Sequence, residues 1–160
     1  MRKDETSGDS TLMRVYGRKL FFETAKEMLD REESGYYILS CINIDNFKVI
    51  NAQYGTAVGD SVLIHVAQCV SRCMESIGGI CGHISGDNFV AMFPASYAAS
   101  RLLAENYNTA SSPDCIPGKI RLRVGRLVVE MPLSSVDAIY DCAKIAADTI
   151  RGNYEKNIEY

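Results

Sequence analysis

The chain has 160 residues, of which 47% are hydrophobic and 23% charged, with a formal net charge of −3. This suits one globular domain with a real core, and the slight acidity gives no basis for binding nucleic acid or an anionic membrane. No apolar run approaches the roughly 20 residues of a membrane span, and the polar opening Met-Arg-Lys-Asp-Glu-Thr-Ser-Gly-Asp-Ser lacks a signal-peptide core, so a cytoplasmic location with no membrane contact is expected.

Residues 1–10 are expected to be a disordered or vector-derived leader, and residues 11–160 a single domain cut from a longer multidomain protein. From Arg18 to about Arg31, Phe21, Ala25, Met28 and Leu29 recur at helical spacing, and Gly35 ends the helix. Residues 36–44 are nearly all apolar and read as a strand covered on both faces. A short helical turn is predicted over 46–51, broken at Tyr54-Gly55. Gly59-Asp60 opens an amphipathic helix to about Met74, its stripe formed by Val62, Leu63, Val66, Cys69, Val70 and Cys73.

Two strands follow, over 77–84 and 88–93, joined by a tight turn at Ser85-Gly86-Asp87-Asn88. Residues 95–106 are helical in composition, and 108–118 form a loop with two prolines. Ile120, Leu122 and Val124 alternate with Arg121 and Arg123 as a half-buried strand that continues through Val129. Ser134 or Ser135 caps a last helix with a stripe from Val136 to Ile150, ended by Gly152. The order predicts an α/β (α+β) fold: a mixed, largely antiparallel central sheet with helices on its faces.

Six cysteines are present. Cys41 and Cys81 lie in strand-like runs, and Cys69, Cys73 and Cys142 on helical stripes, so reduced, buried thiols are expected rather than disulfides. Cys69 and Cys73 share a helical face at i, i+4 with His65 one turn earlier, but the spacing matches no common zinc pattern and is read as packing.

The chemistry concentrates at two strand ends. One carries Asn43-Ile44-Asp45-Asn46-Phe47-Lys48, and the other is the Ser-Gly-Asp-Asn turn. Oxygen ligands on rigid strand ends make a candidate metal–nucleotide site. The segment running from Asn43-Ile44-Asp45-Asn46-Phe47-Lys48-Val49-Ile50-Asn51 to Gly59-Asp60, with Ser85-Gly86-Asp87-Asn88-Phe89, resembles the GGDEF domain family, the diguanylate cyclases of bacterial cyclic di-GMP signalling. Upstream, Tyr16-Gly17-Arg18-Lys19-Leu20-Phe21-Phe22 is similar to the family's lead-in, and the similarity covers about residues 12–155.

The resemblance implies a nucleotide-cyclase, ferredoxin-like palm that binds GTP with Mg2+ or Mn2+. Asn43 stands where the family has a metal-ligating Asp, Ile44 would give a backbone carbonyl, and Asp87 matches a second metal carboxylate. Asn88 stands at the Glu linked to metal and catalysis. Asn51 and Asp60 match the guanine-reading pair, and Leu63 an apolar base-pocket position. The backbone of residues 44–47, including Asn46 and Phe47, would cradle phosphates with Lys48 nearby. Arg151 falls near a phosphate-binding Lys, and Thr56 replaces a His. Ser76 and Gly79 occupy the positions of the family's Arg-x-x-Asp inhibitory motif. The closing segment resembles GGDEF domains that precede an EAL phosphodiesterase domain, which makes such a domain an expected partner beside a homodimer.

An amide gives a metal a dipole but no charge, and cannot act as a general base. The preferred expectation is therefore a degenerate domain, impaired in catalysis and acting as a GTP-binding regulatory module. The alternatives are a weakly active cyclase using Asp45 and Asp87, and a nucleotide-independent interaction domain. Read without the resemblance, Asp60 is a first-turn helix residue, Asn51 a helix C-terminal cap and His83 a satisfied strand residue. On the same reading Arg121 and Arg123 are one exposed strand face, and Lys48, Lys144 and Arg151 solvated surface.

Overall fold

A computed structural model describes residues 15–31, 36–96, 114, 116, 120–129, 135–149 and 158–159. The leader, the predicted helix over 95–106 beyond Ser96, most of the 108–118 loop, and Arg151 lie outside the described residues.

Strand β2 (Tyr37–Ile44) organises the fold, with every residue buried. An unbroken apolar run is what such a strand needs, because helices cover both of its faces. It pairs antiparallel with β4 (Asn88–Pro94) on one side and β5 (Leu122–Val129) on the other. Strand β3 (Ile80–Ser85) pairs antiparallel with β4. Short parallel strands close the edges: β1 (Tyr16–Gly17) on β3, and β6 (Ile158–Glu159) on β5. The resulting 6-stranded sheet has the order β1-β3-β4-β2-β5-β6. The mixed, largely antiparallel sheet expected from the sequence is the one observed.

Helix α1 (Arg18–Arg31) and helix α4 (Val136–Thr149) lie on one face, where Phe21, Ala25 and Leu29 pack with Leu39, Cys41, Val90, Met92 and Tyr140. The α4 N-terminus is capped by Ser135, whose Oγ accepts from the Ala138 N–H at 3.1 Å. The other face is covered by helix α3 (Thr56–Ile77), whose Val62, Val66 and Val70 meet Ile38, Ile42, Ile44, Phe89 and Phe93. Helix α2 (Phe47–Tyr54) packs on α3. Gly55 separates the two with φ 88, a conformation that side chains resist. Its N–H closes α2 on the Asn51 carbonyl at 2.9 Å.

Several expectations shift. The helical turn predicted at 46–51 is a helix reaching Tyr54, and α3 starts at Thr56 rather than at Asp60. Asp60 is therefore not in the first turn, and Asn51 is an interior residue of α2 rather than its cap. Cys41 and Cys81 are buried free thiols as expected, whereas Cys142 is exposed and not on the packed stripe. His65 Nε2 and Cys69 Sγ touch at 3.7 Å. No helix among the described residues is long and apolar enough to cross a membrane.

Candidate functional site

At Ile44 the central strand ends and the chain reverses. Asp45 enters a turn, Asn46 takes the left-handed region at φ 55, and Phe47 starts α2. Asparagine tolerates this backbone better than most residues. The Asn46 carbonyl accepts from the N–H groups of Val49 and Ile50 at 2.9 and 3.1 Å, which fixes the helix start against the strand end.

The β3–β4 hairpin stands beside that turn. Gly86 at its tip has φ 52, and the register shifts between His83 and Ser85. Buried His83 holds the tip from below: a ring nitrogen bonds the Gly86 carbonyl at 2.8 Å, and the ring lies 5.1 Å from that of fully buried Phe89. The Ile44 N–H donates to the Asp87 carbonyl at 3.4 Å, tying the hairpin to the end of β2.

Sheet register puts Asn43 opposite Asn88 on one side and Arg123 on the other. The Asn43 Nδ2 donates to the Asn88 Oδ1. The Asn43 Oδ1 in turn accepts from the Cys41 thiol at 3.6 Å. Burial pushes that thiol up to about 11, a hydrogen bond with Tyr140 acting against the rise. Tyr140 is itself raised, first by burial and then by Cys41.

A cavity of about 460 Å³ opens at this end of the sheet, lined by Asn43, Ile44, Asp45, Asn46, Phe47, Lys48, Val49, Asp87, Arg123 and Asp148. The structure thus gathers most of the expected phosphate and metal positions around one space. Asn88 joins them through its bond to Asn43.

The expected base-reading residues stand elsewhere. Asn51 and Asp60 do not line the cavity, and Leu63 is buried in the core under α3. Asn51 reaches across to α3, where its Oδ1 lies 1.7 Å from where a Cβ on Gly59 would sit. Only a glycine admits the carboxamide there. Exposed Asp60 follows it on the helix.

Arg123 is not on an exposed face. Its side chain is 12% exposed, with Nε 3.4 Å from Asp45 Oδ1 and Nη1 3.6 Å from Asp148 Oδ1. Arg121, in contrast, is exposed. Arg123 is the cross-strand partner of Asn43, so the Asp45 carboxylate lies on the same side of the sheet as Asn43 and is engaged there by the guanidinium. Asp45 was weighed in the sequence, but the role of Arg123 and Asp148 was not visible there, because it depends on β5 lying beside β2 and on α4 returning over the sheet. Among the described residues, no group of three or more His, Cys, Asp or Glu gathers that could hold a metal ion.

Comparison with known proteins gives concordant matches. A family model described as diguanylate cyclase, GGDEF domain, matches residues 10–150. The protein y4lL of Sinorhizobium fredii is 31% identical over 114 residues, which is 68% of this chain and 14% of that protein. The probable diguanylate cyclase DgcT of Escherichia coli is 23% identical over 140 residues, which is 82% of this chain and 31% of that protein. The chain thus spans less than a third of the length of these curated relatives. The crystal structure of the GGDEF domain of DgcB from Caulobacter crescentus in complex with c-di-GMP shares the fold: TM-score 0.74, 21% identity, 99% of this chain and 97% of that one.

Proposed function

Because the chain belongs to the GGDEF domain family of diguanylate cyclases, domains of cyclic di-GMP signalling, we propose that it binds GTP without condensing it and acts as a regulatory module. The observation that carries this is the Asn43–Asn88 pair. At the junction of the two strand ends, two neutral amides satisfy each other where phosphoryl transfer depends on charged groups holding a metal. A bound Mg2+ or Mn2+ would neutralise charge developing on the transferred phosphate.

The residues present are a poor match for such an ion. Magnesium favours carboxylates in near-octahedral order, and here Asp87 is the cavity carboxylate without an ion pair among the described residues. Neither amide can take a proton from a 3′-hydroxyl. Losing one stabilising group in such a site typically costs ~10²–10³ in rate, so two losses leave little chemistry. A weakly active cyclase using Asp45 is disfavoured, since that carboxylate faces Arg123.

In this reading the backbone of residues 44–47 and Lys48 hold the triphosphate. Asn51 and Asp60 read guanine, since an amide and a carboxylate together can donate to and accept from its edge. Leu63 backs the base. A homodimer, and an EAL phosphodiesterase domain in the same protein, are the partners through which bound GTP would act.

Calorimetry with GTP and Mg2+, paired with chromatography of the incubated mixture, tests this. Heat of binding without cyclic di-GMP is the expected result. Binding that is absent at millimolar nucleotide removes the GTP part, and product formation removes the loss of catalysis.

A further inference from the structure

The cavity holds a cation of its own. Arg123 enters it from β5 and is mostly buried, while Lys48 also lines the cavity and is exposed. The guanidinium is placed by charge rather than by hydrogen bonds. It lies 3.4 and 3.6 Å from Asp45 and Asp148, yet Nε and Nη1 make no hydrogen bond among the described residues. A guanidinium held that way has donor capacity left, and its planar fork suits phosphate oxygens. Its cross-strand partner carries the complementary change: Asn43, bonded to Asn88, stands where anionic ligands would hold a metal.

Positive charge has thus moved from an ion that must be bound to a side chain that is always present. We propose that Arg123 is the resident cation of this cavity, so that the phosphates of GTP are bound here without a divalent metal. The inference rests on the proposed GTP-binding function. In the resting state Asp45, with 11% of its side chain exposed, fixes the guanidinium from within. Asp148, with 54% exposed, shields it at the mouth. An entering phosphate displaces Asp148, whose carboxylate returns to water, and takes its place on Arg123.

The test is equilibrium binding of GTP to the whole chain, in Mg2+ and in excess EDTA. The expected affinities agree within about twofold, and Arg123→Gln weakens binding in EDTA by about tenfold or more. Asp148→Asn, which removes the competing carboxylate, is expected to tighten it. Arg123→Gln leaves Asp45 without its partner, so Asp45→Asn/Arg123→Gln provides a second variant without that unpaired charge. It too should bind weakly in EDTA. Binding that requires Mg2+ overturns the resident cation but keeps the GTP-binding function. Metal-free binding that survives both Arg123 variants overturns the assignment to Arg123. Absence of binding under both conditions overturns the GTP-binding function, and the inference with it.

Discussion

The cavity rim and the α2–α3 junction lie close together on one scaffold but treat charge differently. At the rim the backbone is held by sheet register and by the His83–Gly86 contact, while the polar lining combines Asn43, which bonds Asn88, and the Arg123 guanidinium with Lys48, Asp45, Asp87 and Asp148. At the junction the polar pieces are Asn51 on α2, a glycine that makes room for it on α3, and Asp60 in water. The strand ends are placed by buried Ile42, Ile44 and Phe89, none of which depends on what Asn43 or Asn88 carries. Charge at the rim can therefore change with little effect on the fold, which is why fold and chemistry must be argued separately here.

The largest effect is expected from reversing the rim. Asn43→Asp with Asn88→Glu replaces a hydrogen-bonded amide pair by two carboxylates, one at a position only 6% exposed. Without metal the two repel, and the lost bond adds to the cost, so stability should fall by about 1–3 kcal/mol. Mn2+ should recover much of it. Thermal unfolding with and without Mn2+ measures both, and a melting temperature indifferent to the substitutions would show that the two strand ends are not in contact. The junction should not respond, which sharpens the contrast.

How much of this was legible follows from where the signal lies. The apolar run of β2 and the stripes of α1 and α3 announce themselves, because burial on one or both faces imposes a period on a single segment. The hairpin was read from its turn residues. Strands β1 and β6 were not, since such short strands carry no period and exist only through their neighbours. The start of α3 was placed too late because Gly59 reads as a helix boundary, whereas its role is to leave space for Asn51. Arg123 was misread for a related reason. Alternation told that its side chain shares a face with neighbours two residues away, but not that this face looks onto Asp45 and Asp148. Arg126, fully buried opposite Ser40, gave no sequence signal at all. That the Asn43 strand end and the hairpin form one site was suggested by two polar strand ends and supported by the family resemblance, whereas the register that sets Asn43 opposite Asn88 was not legible, because it joins segments far apart in the chain.

A smaller and more selective effect is expected at the junction. Gly59→Ala places a Cβ against the Asn51 Oδ1, the movable end of a flexible side chain. Alanine is favoured over glycine inside a helix by about 1 kcal/mol, which offsets the displacement, so unfolding should change little. Asn51, however, must swing away. If it reads guanine with Asp60, the preference for GTP over ATP should shrink by about tenfold, the worth of one directed hydrogen bond, while ATP affinity stays the same. Competition binding separates the two. A variant that loses ATP and GTP equally would join the junction to the rim and end the distinction drawn here.

The smallest effect concerns the layer beneath the rim. Cys41 donates to Asn43, and burial lifts its thiol from 9.0 to about 11; Cys81, on the other face, rises to about 12 for the same first reason. Both should resist a thiol reagent at mildly alkaline pH until the protein unfolds, while exposed Cys142 reacts at once. The sign of the pH effect follows from proton counting. Above 9.0 the unfolded chain loses these protons while the folded chain keeps them, so stability falls as pH rises from there through about 11 to about 12. Cys41→Ala should make that fall shallower between 9.0 and about 11, whereas Cys81→Ala should make it shallower from 9.0 all the way to about 12. Because only Cys41 touches Asn43, only its removal should also alter GTP binding at the rim, and an equal response to both substitutions would mean that the thiol layer does not support the cavity.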